Sequence, residues 1–419
     1  MPPLEGRRGL EYLESLGPRG VRLGLHRMER ALGDLGRPDR RLRILLVAGT
    51  NGKGSTCAMA ASALRAAGYR VGLYTSPHLH HFAERIQIDG RPVSEQELAD
   101  AIDAVRRTCS WHDAADNDDR LTYFELATLL GLTCFERHEV DVAVVETGLG
   151  GHLDATAALS PCAIAMTRIA LDHQEYFGSS LAEVARAEAS IFKPGVAVVV
   201  ARGQQPEAME VVRAEAARIG ARLSLCRQEY GGPLALRGGH QRENAAVAKA
   251  GLDLLTSCGL HVSDDAVETG FASTYWPGRL EEIDGVLLDV AHNPDGVRVV
   301  SDALRDLYPE RPVELVFGVM ADKDYREILR VLPGSVRHLH LCPPLTPRSL
   351  APEACASAAA LRGLPFSTYP TCGDALHGAR AAAGTRALVC AMGSFSVVAE
   401  VRRLLLGDRV LARGEGSWM

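Results

Sequence analysis

The stretch Arg43-Ile44-Leu45-Leu46-Val47-Ala48-Gly49-Thr50-Asn51-Gly52-Lys53-Gly54-Ser55-Thr56 decides the fold. It begins as an apolar run of strand length and passes through a glycine-rich turn. Ser55–Ala67 then reads as an alanine-rich helix stopped near Gly68. Glycines let backbone amides curl around phosphate oxygens, and the helix N-terminus adds partial positive charge. On this reading Thr50, Asn51, Gly52 and Gly54 form the cradle, and Lys53 sits between the β- and γ-phosphates of a nucleotide. Ser55 and Thr56 offer hydroxyls near a metal. The pattern G-x-x-x-x-G-K-[ST] is not met strictly, because Gly54 follows the lysine and the first glycine lies closer. The competing reading is a plain glycine turn, and the flanking strand and helix argue against it.

The same rhythm continues outward. Arg70–Tyr74 and Val140–Val145 read as strands, with the helical spacing of Leu121–Arg137 between them, and Ala163–Thr167 and Val196–Val200 add two more. Alternating strands and helices predict an α/β fold with a mostly parallel sheet covered on both faces. Trp276-Pro277-Gly278 suits a linker. Beyond it, Gly285–Asp289, Val313–Val319, Ser335–Cys342 and Ala387–Ala391 read as strands, and Asp295–Leu307 as a helix. The expected division is residues 1–277 and a smaller α/β domain over 278–419. Asp113–Arg120 is the most polar segment and is expected as an exposed loop.

The bulk numbers set limits. The chain has 419 residues, 47% hydrophobic and 23% charged, enough for a sizeable core in more than one domain. A net charge of −6 gives no support for a nucleic-acid surface. The ten cysteines contain no C-x-x-C pair, so zinc is not expected and reduced, buried thiols are. The first residues lack the apolar core of a signal peptide, and no run approaches the ~20 apolar residues of a membrane helix. A cytoplasmic protein without membrane or nucleic-acid partners is the expectation.

Glu146 ends the apolar strand. A carboxylate at a strand's C-terminal end beside a phosphate loop is well placed for Mg²⁺, a hard cation that takes oxygen ligands. A water-exposed strand-end glutamate is the alternative. His173, after Leu171-Asp172, reads alone as a surface or core histidine, and Ser76-Pro77 alone reads as a turn.

The short form Gly49-Thr50-Asn51-Gly52-Lys53-Gly54-Ser55 resembles the Mur ligase superfamily and, within it, the dihydrofolate synthase/folylpolyglutamate synthase family. The resemblance runs over nearly the whole chain. It takes in Tyr74–Leu79, Glu84-Arg85-Ile86, Leu121–Glu125, Glu146–Gly151, Leu153–Thr156, Leu171-Asp172-His173, Trp276–Leu280, Asp289–Pro294 and Asp322-Lys323-Asp324. It implies a Mur-ligase-like phosphate-loop domain followed by a Rossmann-like α/β C-terminal domain. It also implies ATP, two Mg²⁺ ions, L-glutamate, and dihydropteroate or a folate as the acid, in a monomer. Ser76 and Glu146 are the implied ligands of the first ion, and His173 of the second. Lys53, Glu146, His173 and Arg279 are the implied catalytic set, and Asn244, Arg279 and Asp289 the nucleotide contacts. Arg22–Leu25, Thr122, Tyr123, Phe124, Glu125, Leu153 and Asp154 would meet the pterin, where an aromatic ring can stack on a flat heterocycle.

The chain departs from the family at one metal position. Related enzymes read roughly R-E-K-A-G-I-F-K with a carbamylated lysine, whereas this chain has Arg186-Ala187-Glu188-Ala189-Ser190-Ile191-Phe192-Lys193. Glu188 already carries a carboxylate but is several bonds shorter. It is the fourth candidate ligand, and it leaves open an amide ligase for another acid or a nucleotide-binding paralogue with impaired catalysis.

Overall fold

The computed structural model describes residues 9, 11–13, 24–114 and 119–407. Arg22 and Leu23, and residues 115–118 of the expected polar loop, lie outside the described residues. The chain divides into two compact units. Among the described residues, one runs to Ala235 and resumes over Arg242–Thr274, and the other comprises Leu236–Gln241 and residues 275–407.

The first unit is built on an eight-stranded sheet. Its strands are β1 (Ile44–Ala48), β2 (Val71–Tyr74), β3 (Ile86–Ile88), β4 (Arg91–Pro92), β5 (Val142–Glu146), β6 (Ala163–Met166), β7 (Ala197–Val200) and β8 (Arg222–Leu225). They lie in the order β4-β3-β2-β5-β1-β6-β7-β8. The β2/β3 and β3/β4 pairs are antiparallel and the rest parallel. Every residue of β1, β2, β5, β6 and β7 is buried. Continuous apolar runs of this kind belong to strands covered on both faces. Three of the covering helices open with a capping box, formed by Ser94 with Glu97, Thr122 with Glu125, and Ser180 with Glu183.

The helix Lys53–Ala66 leaves the C-terminal end of β1 and is buried on nearly every side from Gly54 to Leu64. Its alanines permit close packing. Gly270, on the helix Asp264–Ala272, lies so near that a Cβ there would fall 2.4 Å from the Ala63 backbone. The register aligns Val47 of β1 with Glu146 of β5 and Ala48 with Met166 of β6, so the loop after β1 opens between the ends of its two neighbours. The C-terminal edge of a parallel sheet is where such folds bind ligands.

The second unit has a six-stranded sheet of β9 (Glu281–Ile283), β10 (Val286–Leu288), β11 (Val313–Phe317), β12 (Val336–Leu341), β13 (Phe366–Thr368) and β14 (Leu388–Met392). The order is β13-β12-β11-β14-β10-β9, with only β9 antiparallel. Its core includes Leu287, Leu315, Phe317, Leu339 and Met392. The α/β class and the two mostly parallel sheets match the expectation. Strands β3, β4, β8, β9 and β13 are additions, and none of them reads as an apolar run.

Candidate functional site

The loop after β1 has the backbone of an anion cradle. Gly49 has φ +114° and Gly52 +92°, values that L side chains rarely adopt. A Cβ at Gly49 would lie 2.4 Å from Thr167 Oγ1, and one at Gly52 would lie 2.2 Å from Asn244 Oδ1, so space as well as conformation demands glycine. Gly52 is the N-cap of the following helix, whose first-turn amides have no acceptor within the helix. Thr50 and Asn51 are committed otherwise. Both their amides donate to the Arg168 carbonyl, at 2.9 and 3.2 Å, and the Thr50 hydroxyl donates to the Ala170 carbonyl. These two residues fasten the loop to the segment after β6.

Lys53 Nζ donates to the carbonyls of Gly49 (2.7 Å) and Thr50 (3.2 Å), which folds its ammonium back over the loop. Ser55 is 1% exposed, and its hydroxyl has no hydrogen-bond partner among the described residues. A buried hydroxyl without a partner is costly unless a ligand supplies one. Asn244, from the helix His240–Leu255, packs its side chain on Gly52, and its carbonyl lies 3.5 Å from the Thr56 hydroxyl.

Carboxylates surround this loop. Glu146 is 5% exposed, and one of its oxygens accepts from the Ser76 amide at 3.1 Å. Glu188 is 2% exposed and accepts from the Gly49 amide at 3.2 Å, and a Cβ on Gly150 would lie 2.6 Å from the same carboxylate. Burial pushes the Glu188 carboxyl up to about 7, opposed by the Lys53 ammonium and the Gly49 amide and reinforced by Asp154 and Asp172. Burial also raises the nearby Cys57 thiol, which feels the Glu146 charge and, in the opposite sense, Lys53. His173 caps the short helix Gln174–Phe177 with φ +50° and stacks edge-on to Phe177.

Among the described residues, no group of three His, Cys, Asp or Glu side chains comes close enough to hold a metal ion. Ser76 and Glu146 are brought together, but the expected four-residue set is not a preformed cage. That arrangement fits Mg²⁺, which keeps waters and takes one or two protein carboxylates plus substrate phosphates. The unpartnered Ser55 hydroxyl beside the cradle supplies a further oxygen. Asp172, 8% exposed and close enough to perturb Glu188, is a buried acid whose motif was visible but whose proximity to the loop was not.

The expected pterin residues separate into two groups. Thr122 and Glu125 form the capping box of the helix Tyr123–Arg137, and Glu125 is also ion-paired with buried Arg27 at 3.2 Å. Asp154 accepts from the Leu149, Gly150 and Thr156 amides and the Thr156 hydroxyl, at 2.7, 3.0, 2.9 and 2.6 Å. Both of its oxygens are thus spent on holding the turn after Glu146. The structure therefore gives Thr122, Glu125 and Asp154 an organising place. Tyr123 and Phe124 are half-buried. The Tyr123 ring meets Phe82 edge-on at 5.9 Å with the Arg85 guanidinium over both, and Phe124 lies against Gly148. The side chain of Leu153 lies outside the described set.

In the second unit, Asp289 follows β10, is 4% exposed, and accepts from the amides of Leu280 (3.0 Å) and Ala291 (2.9 Å). Burial raises its pKa, and the Arg279 charge is the largest opposing influence. Arg279 lies 5.5 Å over the Phe395 ring, which also meets His292.

Two protein-family models match the chain: the Mur ligase middle domain over residues 47–229, and the Mur ligase, glutamate ligase domain over 278–395. A dihydrofolate synthase/folylpolyglutamate synthase of Bacillus subtilis is 32% identical, with 92% of this chain and 96% of that one covered. A structure of Escherichia coli FolC in complex with DHPP and ADP superposes with a TM-score of 0.86 at 31% identity, covering 98% of this chain and 100% of that one. A bifunctional folylpolyglutamate synthase/dihydrofolate synthase from Yersinia pestis, complexed with AMPPNP and a Mn ion, gives 0.84 at 30% identity, with 97% and 99% covered.

Proposed function

We propose a function on one premise: the chain belongs to the dihydrofolate synthase/folylpolyglutamate synthase family, which is built from Mur ligase domains. It is an ATP-dependent ligase that adds L-glutamate to dihydropteroate, to a folate, or to both, giving ADP and phosphate. The observation that carries this reading is the cradle at Gly49–Ser55, with its lysine, unpartnered hydroxyl and flanking carboxylates, in a chain matched along nearly its whole length by enzymes of that name.

The chemistry follows from the acid. A carboxylate resists attack by an amine because its charge is delocalised and oxide is a poor leaving group. Transfer of the γ-phosphoryl group to the acid gives an acyl phosphate. The α-amine of glutamate then attacks the acyl carbon, the C–O bond to phosphate breaks, and an amide forms. No protein nucleophile is required. The chain aligns the reactants and stabilises the charge that develops on the transferring phosphoryl group. Lys53 supplies fixed positive charge, and the first-turn amides after Gly52 cradle the phosphates. Asn244 fixes the loop from behind and orients the nucleotide. Arg279 and Asp289 of the second unit are assigned to the nucleotide as well.

A divalent cation held here would supply positive charge against the negative phosphates. We take it to be Mg²⁺, with Ser76 and Glu146 at one ion and His173 and Glu188 toward a second. Tyr123 and Phe124 offer the flat apolar surface for the pterin, and Thr122, Glu125 and Asp154 keep its walls in shape. A monomer in the cytoplasm completes the reading. No helix among the described residues is long and apolar enough to cross a membrane.

The test is isotopic. Dihydropteroate or folate labelled with ¹⁸O in its carboxylate is turned over with ATP, Mg²⁺ and glutamate, and the released phosphate is weighed. One label per turnover is expected in phosphate. Turnover with unlabelled phosphate would overturn the acyl-phosphate route, and ATP use with none of these acids would overturn the folate assignment.

A further inference from the structure

The second unit carries a pair of thiols that the ligase reaction does not use. Cys342 follows β12, and Cys372 opens the helix Cys372–Ala383. They are 1% and 2% exposed, and the Cys342 thiol donates to Cys372 Sγ at 3.5 Å. The backbone is held firmly on both sides. The Cys342 amide donates to the Phe317 carbonyl at 3.0 Å, and its own carbonyl lies where a Cβ on Gly318 would come within 2.3 Å. Cys372 follows Thr371, whose hydroxyl caps the helix by accepting from the Asp374 amide at 3.1 Å. Rotation about the two Cα–Cβ bonds is therefore the motion that brings the sulfurs from contact to the ~2.05 Å of a bond.

We propose that Cys342 and Cys372 are a reversible redox pair, oxidised by hydrogen peroxide to a disulfide that clamps the end of β12 to the start of the Cys372–Ala383 helix. Cys372 is the attacking sulfur. It accepts the Cys342 thiol's hydrogen bond and stands at the N-terminus of the Cys372–Ala383 helix, and both favour its thiolate, while the same contact and burial raise the Cys342 pKa. Its thiolate attacks one peroxide oxygen, the O–O bond breaks, and hydroxide leaves, giving a sulfenic acid. The Cys342 sulfur then attacks the Cys372 sulfur, the S–O bond breaks, and water leaves. Two thiols lose two electrons and two protons, and one peroxide becomes two waters. A dithiol reductant reverses the change by exchange through a mixed disulfide.

The chain's own cleavage sites make the test direct. Trypsin places Cys342 in residues 338–348 and Cys372 in 363–380, one cysteine in each, with Cys355 set apart in 349–362. The full-length reduced protein is treated with peroxide, alkylated under denaturing conditions, digested and weighed with and without dithiothreitol. The expected product is the 338–348/363–380 pair, lighter than its two halves by two hydrogen atoms and released by dithiothreitol, with two of the ten thiols lost to alkylation. In Cys342→Ser, the sulfenic acid persists on Cys372 and is trapped by dimedone. If both peptides in the wild type stay alkylated, or pass to sulfinic acid without linking, the proposal is overturned. A link between Cys162 and Cys258 in place of this pair overturns it too, since those two are the more exposed.

Discussion

Replacing Glu188 by glutamine removes a buried negative charge while keeping the side chain's length and a carbonyl acceptor for the Gly49 amide. In the folded protein the carboxyl has been pushed up to about 7, against 4.5 for an ordinary glutamate. Between those values the folded state holds a proton that the unfolded chain has already released. Stability therefore falls as pH rises through this window, and the full penalty stands above pH 7. The penalty works out at about 1 kcal/mol at pH 5 and about 3 kcal/mol at pH 8. Glutamine carries no charge in either state and escapes it. Glu188→Gln should gain about 2 kcal/mol over the wild type on going from pH 5 to pH 8. The assay is urea unfolding of both proteins at the two pH values, free of nucleotide and with EDTA present. An equal difference at both pH values, or a wild type that is the more stable at pH 8, would refute the reasoning. With Mg²⁺ and a non-hydrolysable ATP analogue added, the wild type should gain more than the variant, because the ligands meet the charge that glutamine lacks.

Lys53→Ala should cut turnover about 100-fold or more with little change in fold, measured as phosphate release beside a circular dichroism spectrum. Gly52→Ala sets a Cβ against Asn244 and strains a left-handed backbone, so it should cost about 1–3 kcal/mol in urea melts and weaken nucleotide binding by calorimetry. Arg27→Met strands the buried Glu125 carboxylate and should cost about 3–5 kcal/mol, and adding Glu125→Gln should restore part of it in the same melts.

What the sequence made legible follows from burial. Strands with two covered faces write themselves as apolar runs, so β1, β5, β6, β11 and β14 fall within a residue or two of their expected ends. Edge and peripheral strands need no such run. Arg222–Leu225 and Glu281–Ile283 carry polar residues and short lengths that local pattern cannot tell from loop. The phosphate loop was visible because its constraint is local. The contacts that complete it are not local. Glu188 reaches Gly49 across 139 residues, and Asn244 reaches Gly52 only because the fold returns its helix to the loop.

Thr122-x-x-Glu125 carries a capping-box signature in plain view, a structural place that stands beside the substrate role the resemblance implies. Asp154 shows the same lesson. Its residue type suits a pterin amine, and only the four donors gathered around it reveal a turn-holding role.

The absence of a side chain at Gly270 has a mechanical consequence. With one helix backbone resting directly on another at Ala63, no long side chains stand between them to tilt or slide. The Lys53–Ala66 segment is consequently braced near its C-terminal end, backbone against backbone. A bulkier residue at 270 would press on that backbone, and would reach the cradle only through the helix that carries Lys53 at its other end.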